Sequence, residues 1–198
     1  MATDAQPIER SALLVIDVQE SFGADEARWA RRNNPAFEAN LTRLIGAYRD
    51  AGRPVVWVVH EDEDEHFRPG SPYVALQPWL ERRDDEPLLR KSTRNAFTST
   101  DLADRLAALG VRRIAITGIQ TEQCCETTAR VAGDLGYDVD FVTEATLTFP
   151  ITDPATGDVH PADAITRATE FALRGRFARI ATVHALAAEL ETLAACSA

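Results

Sequence analysis

Five apolar runs of strand length, separated by segments of helical periodicity, constrain the fold of this 198-residue chain more than any other feature. The runs are "SALLVID" (11–17), "PVVWVV" (54–59), "RRIAITG" (112–118), "YDVDFVT" (137–143) and "ARIATV" (178–183). They are short, continuous and rich in Val and Ile, as strands covered on both faces of a parallel sheet are. A shorter run, "EPLLRK" (86–91), reads as a sixth strand. Between them come "AFEANLTRLIGAYRDAG", "TDLADRLAALG", "TEQCCETTARVAGDLG", "PADAITRATEFALRG" and a final "HALAAELETLAA". Each of the first three ends in glycine, a common helix terminator. The alternation predicts an α/β protein: a three-layer α/β/α, doubly wound domain spanning 1–198 around a six-stranded, mainly parallel sheet. The site of such a fold lies beyond the carboxyl ends of the strands, near the reversal of strand order. Two segments break the rhythm, an acidic, irregular one at 60–86 and a turn-rich one at 148–163. Connecting loop is the ordinary reading of both, but each leaves a strand's carboxyl end and could roof a pocket.

Composition narrows the function classes. Apolar content of 45% and charged content of 26% are those of a soluble globular protein. No apolar run approaches the ~18 residues of a membrane span, and the opening "MATDAQPIER" lacks a leader's apolar stretch, so the cytoplasm is expected. A formal charge of −10 argues against nucleic acid and anionic membrane as partners and leaves a small-molecule substrate. Three cysteines, Cys124, Cys125 and Cys196, make an odd count, and the adjacent pair could close only a strained ring; reduced thiols are expected.

Adjacent helical residues point about 100° apart, so Cys124 and Cys125 cannot share surroundings. With Thr121 as the N-cap, Cys124 falls at the third helical position, where the positive end of the helix dipole favours a thiolate. Cys125, Thr128, Ala129, Ala132 and Gly136 then form one stripe of small residues facing the sheet. Cys124 is the candidate nucleophile and Cys125 packing; the competing reading of Cys124 is an ordinary buried thiol. Asp17 ends one apolar run and Lys91 another, where an uncompensated buried charge is costly. Taken singly, they read as a capping carboxylate and a surface lysine. Together with Cys124 they end different strands on one side of the sheet, as a nucleophile, a base and a cationic stabiliser would. A thiol ordinarily titrates near pH 8.5, so base and cation would be needed to supply thiolate at neutral pH.

With "LLVIDVQESF", the run from Lys91 through Gly118-x-x-Thr121-x-x-Cys124 to "TTARVAGDLGYDV", and more loosely "ALRGRFARIATV", the chain resembles the isochorismatase-like cysteine hydrolases. This superfamily includes nicotinamidases and N-carbamoylsarcosine amidohydrolases. The resemblance implies a catalytic triad of Asp17, Lys91 and Cys124, and a cis peptide at Ile119–Gln120. It also implies an oxyanion hole from the amides of Gln120 and Cys124. It places Phe22 in the substrate pocket, and Gln123 and His60 are candidate substrate contacts. Cys125 stands where the family has an apolar residue. The implied reaction cleaves a C–N bond of a small amide or ureido compound through a thioester on Cys124. Family members form homodimers or larger homo-oligomers. Trp57, Tyr73, Trp79 and Phe149 are candidates for an interface or a pocket wall, Trp57 reading better as core.

No cofactor or metal is expected. Nicotinamidases carry an Asp-x-His and later histidines after the second strand; here Val58 precedes His60 by two, and no histidine follows His66 until His160. Asp62 and Asp64 read as a solvated acidic loop. Three other functions remain open. One is vinyl-ether hydrolysis with Asp17 as acid and no covalent thiol, although an acidic loop is a poor host for a polyanionic substrate. The others are thiol redox chemistry at Cys124–Cys125, for which a helix offers poor geometry, and a non-catalytic scaffold.

Overall fold

A computed structural model describes residues 6–197, apart from the side chain of Ser197. The first half of the opening stretch, on which the expected lack of a leader rests, therefore lies outside the described residues. The strands of the main sheet are β1 (Ser11–Ile16), β2 (Val55–His60), β3 (Leu88–Lys91), β4 (Arg113–Ile119), β5 (Asp138–Leu147) and β8 (Arg179–Ile180). A two-stranded hairpin, β6 (Ile151–Thr152) with β7 (Val159–His160), stands apart. The sheet runs β3-β2-β1-β4-β5-β8, and every pairing in it is parallel. This is the doubly wound order, with its switch point between β1 and β4. The six expected strands are all present. The last is shorter than its apolar run, as an edge strand paired on one side only can be, and β5 runs four residues further than expected.

The helices are α1 (Glu26–Trp29), α2 (Phe37–Asp50), α3 (Leu102–Ala108), α4 (Glu126–Asp134), α5 (Ala162–Leu173) and α6 (Val183–Ser197). None of them is long and apolar enough to cross a membrane. Successive strand side chains alternate between faces. Leu13 and Val15 of β1 thus join Leu41 and Leu44 of α2 and Leu186 and Leu190 of α6 on one side. Ala12, Leu14 and Ile16 join Leu102 and Leu106 of α3, Ala129 and Ala132 of α4 and Leu173 of α5 on the other. With a core on each face, β1 is buried throughout, which is why its sequence shows no polar alternation.

One glycine is fixed by the switch point. Gly118 sits opposite Ile16 at φ 124°, and a Cβ there would lie 1.9 Å from the Ile16 carbonyl oxygen. Only glycine lets β4 approach β1 this closely just below the residues that carry the chemistry. The pairing with β5 also shifts register between Ile116 and Gly118, bending the end of β4.

Candidate active site

The carboxyl edge of the sheet gathers the reactive side chains. Asp17 follows β1 directly, and its backbone turns to φ 54°, a left-handed conformation that aspartate tolerates better than most residues. His60 and Lys91 close β2 and β3 as register partners on adjacent strands. Gln120 follows β4 after a cis peptide from Ile119, and Cys124 lies in the turn that leads into α4. That turn, Thr121–Cys125, is wide, with the Cys125 amide donating to the Gln120 carbonyl at 3.2 Å. Gln120 is its N-cap, without a side-chain hydrogen bond, so Thr121 does not cap the helix as the sequence suggests. The Thr121 hydroxyl instead donates to Thr146 of β5 at 2.8 Å, tying the turn to the sheet.

Lys91 is the hub. Its side chain is fully buried, and the ammonium lies 2.7 Å from Asp17 Oδ2, 3.3 Å from Cys124 Sγ and 3.2 Å from His60 Nδ1. An ammonium has three protons and no lone pair, so these neighbours account for all its donors. It also fixes the histidine: Nδ1 must accept, and Nε2 therefore carries the hydrogen and donates to Asp62 Oδ2 at 3.0 Å. Burial and the Lys91 charge hold the His60 pKa below its ordinary 6.5, so the ring is neutral at neutral pH. The Asp17 contact is a buried ion pair at hydrogen-bond distance, and the carboxylate still keeps free lone pairs. Burial raises the Asp17 pKa above its ordinary value, against the opposing pull of Lys91 and the neighbouring thiol.

The Cys124 thiol is pushed up to about 12, first by burial and then by the negative charge of Asp17, with Lys91 only partly compensating. This reverses the expectation that the helix start would favour a resting thiolate. A buried thiol beside a carboxylate keeps its proton until something displaces it. Cys125, fully buried with Ala129 and Ala132, is the packing residue foreseen for it. Thr128 completes that face and accepts from the Ala96 amide at 3.1 Å. Gly136 lies beyond the end of α4 at φ 85° and is exposed, so it leaves the stripe.

A cavity of about 270 Å³ opens onto Cys124, lined among others by Asp17, Phe22, His60, Gln120 and Gln123. The sequence candidates thus converge on one hollow. A larger groove of about 580 Å³ beside β3 contains none of them. Phe22 leads an aromatic wall, with Phe67 edge-on at 5.2 Å and Phe149 stacked at 6.4 Å. Of the two interrupting segments, 60–86 brings Asp62, Asp64 and Phe67 to the cavity, whereas the β6–β7 hairpin does not line it. His60 is 4% exposed, and both ring nitrogens are engaged within the protein. It therefore orients Lys91 while also lining the hollow. The same engagement leaves it no lone pair for a metal, and His66 faces Asp64 and Glu65 instead, so the residues do not fit the nicotinamidase-type metal site. Trp57 is core, its Nε1 donating to Glu86 at 2.7 Å, and Trp79 packs on Phe37.

Gln19 escaped the sequence reading. It is wholly buried, its Nε2 donates to the His60 carbonyl at 3.0 Å, and its Oε1 accepts the His60 amide at 2.7 Å. The clamp fixes the end of β2 against the loop that carries Asp17. A glutamine two residues after the acid, just past the end of the apolar run, was the available signal. Arg28 and Arg94, which also line the cavity, gave no signal among many charged loop residues.

Comparison with known proteins agrees with this fold. The chain is 37% identical over 159 residues to nicotinamidase 3 of Arabidopsis thaliana, covering 70% of this chain and 74% of that one. It is 31% identical over 147 residues to the uncharacterized isochorismatase family protein YrdC of Bacillus subtilis, covering 73% and 78%. The crystal structure of a protein described as an isochorismatase-family hydrolase, from Chromobacterium violaceum, superimposes with a TM-score of 0.87 at 29% identity, over 97% of this chain and 99% of that one. With the model of the isochorismatase domain matching residues 11–184, the chain belongs to the isochorismatase family of hydrolases.

Proposed function

We propose that the protein hydrolyses a C–N bond of a small amide or ureido compound through a thioester on Cys124. The observation that carries this reading is the placement of one buried ammonium, Lys91, between Asp17 and Cys124, both of which line the cavity. Asp17, with free lone pairs and a raised pKa, takes the thiol proton as sulfur attacks the substrate carbonyl. Lys91 stabilises the sulfur as charge develops on it. The carbonyl oxygen, now negative, lies toward the backbone amides of Gln120 and Cys124, where donors aimed at developing charge are worth most. Asp17 returns its proton to the leaving nitrogen, the C–N bond breaks, and an acyl group remains on Cys124. Water, deprotonated by Asp17, then releases the acid and restores the thiol.

A resting thiol suits this cycle. The proton that Asp17 must deliver to the leaving group is already in the site, and substrate displaces it only when the carbonyl is in place. The test is acyl trapping. A panel of primary amides and ureido compounds is turned over at low pH, quenched, and analysed as intact protein and as peptides. The expected result is a mass increase at Cys124 alone, absent from Cys124→Ala. Full turnover by Cys124→Ala would remove the covalent route.

A further inference from the structure

The cavity has one feature that the acyl chemistry does not use. Two arginines, Arg28 and Arg94, line the hollow that holds Cys124, and they come from segments far apart in sequence. Arg28 sits in α1 with its guanidinium 4.1 Å above the Phe149 ring, so the aromatic wall orients it. Burial lowers its pKa, and Asp25 and Glu122 act on it only at a distance. Arg94 is the third residue after Lys91, and its charge is felt by Asp62 across the mouth. Among the described residues, neither guanidinium forms an ion pair, and no side-chain hydrogen bond uses up their donors.

The two loop carboxylates of the same cavity, Asp62 and Asp64, are held differently. Asp62 accepts from His60 Nε2 at 3.0 Å and from the Asp64 amide at 2.8 Å. Asp64 accepts from the His66 amide at 2.9 Å and lies 3.6 Å from its ring. Asp62 and the Oδ1 of Asp64 are engaged in holding the loop, while neither guanidinium is engaged by an acid. The acidic composition of 60–86 is therefore not the whole charge of the cavity, because two exposed guanidinium groups without ion-pair partners also border it.

We propose that the substrate carries a carboxylate group, bound at the cavity mouth by Arg28 and Arg94 while its scissile carbonyl lies over Cys124. A planar two-oxygen anion matches the planar fork of a guanidinium. The cavity volume of about 270 Å³ equals that of roughly nine liquid waters, which keeps the two ends of the substrate close together. An apolar or flat middle would rest on Phe22 and Phe67. The inference deepens the hydrolase reading and rests on it only for the scissile carbonyl.

Its test needs no turnover. Cys124 is alkylated with iodoacetate and, separately, with iodoacetamide, reagents of similar size that differ in charge, and Cys196 in the same chain serves as an exposed reference thiol. The rates are followed at alkaline pH by peptide mapping. The expected ratio of iodoacetate to iodoacetamide labelling is higher at Cys124 than at Cys196 by about tenfold or more, the worth of one charge-assisted hydrogen bond. Arg28→Gln and Arg94→Gln each lower it, and together they bring it down to the Cys196 value. Equal ratios at the two cysteines would overturn the inference. So would an excess that survives in the double variant, which would assign it to Lys91. Failure of either reagent to reach Cys124 would also overturn it, since a site for small carboxylates must admit iodoacetate. A positive ratio without thioester formation on any amide would leave the carboxylate site standing and remove the acyl chemistry.

Discussion

Two clusters of buried charge sit at opposite ends of the same sheet and are built on opposite plans. At the amino ends, Arg113 of β4 pairs with Asp140 of β5 at 2.6 Å and makes two bonds to Glu189 of α6, at 2.7 and 3.1 Å. Arg179 of β8 closes on the other Asp140 oxygen. Every carboxylate oxygen in that cluster has a partner. At the carboxyl ends, Lys91 is fully engaged, but Asp17 holds free lone pairs and Cys124 is kept protonated by its surroundings. Both clusters bear the cost of desolvation. The first offsets it with hydrogen bonds and fixes strand register; the second leaves part of it unrelieved, as reactive groups in clefts do.

The sharpest way to break this contrast is at the nucleophile. Cys124→Ala should lower kcat/KM by about 10⁴-fold or more, as removal of a nucleophile does elsewhere, with thermal stability nearly unchanged. Steady-state kinetics beside a melting curve checks both halves. A large loss of stability with modest loss of rate would make the two clusters alike. Arg113→Met should do the reverse. It leaves the buried Asp140 with one partner fewer, at a cost of about 3 kcal/mol in stability, while kcat below the melting transition stays within about twofold. Urea unfolding measures the first number, and an unchanged midpoint would mean the amino-end cluster carries no structural load.

His60 sits between the extremes, since it touches the chemistry only through Lys91. His60→Ala should cost about 10- to 100-fold in kcat, with little change in KM, because Lys91 loses the acceptor that orients it. His60→Asn supplies a neutral acceptor and should recover most of the loss. The pH profile carries a sign that a merely structural role would not. The ring is neutral in the working site, with a pKa held below 6.5 by burial and Lys91. Activity should therefore be intact above 6.5 and fall at lower pH, where a proton on Nδ1 sets a second cation against Lys91. In His60→Asn that limb should vanish. An identical acid limb in both proteins would assign it to another group, such as Asp17.

Most of this site was legible before any coordinates, and the reasons are physical. Asp17 and Lys91 each end an apolar run, so strand polarity alone delivers them to one edge. Cys124 and Cys125 separate by helix direction. What could not be read is what depends on distant loops coming together. Gln19 reaches 41 residues forward to His60, and Arg28 and Arg94 meet at one cavity although 66 positions of sequence separate them. The resting state of the thiol was misjudged for the same reason. The helix-start effect is local and visible in sequence, whereas burial beside Asp17 is not, and burial is the larger influence. The wide turn at Thr121–Cys125 was likewise hidden, because Thr121 finds its partner in β5 rather than in its own helix.

The smallest effect tests the finest contrast, between two neighbours in the chain. Cys125 has no exposure and packs with Ala129, Ala132 and Ile116 in the core beneath α4. Its thiol is pushed well above its ordinary range by burial, with the nearby Cys124 adding to the rise. Cys125→Ala removes one buried sulfur and should cost about 1 kcal/mol, with kcat/KM within about twofold of the parent. Cys125→Val adds volume against a sheet only one side chain away and should cost about 1–3 kcal/mol, again without a change in mechanism. Urea unfolding and steady-state kinetics on both variants decide the matter. If either lowers kcat by a hundredfold at unchanged stability, the second thiol takes part in the reaction, and the division of labour between adjacent cysteines fails.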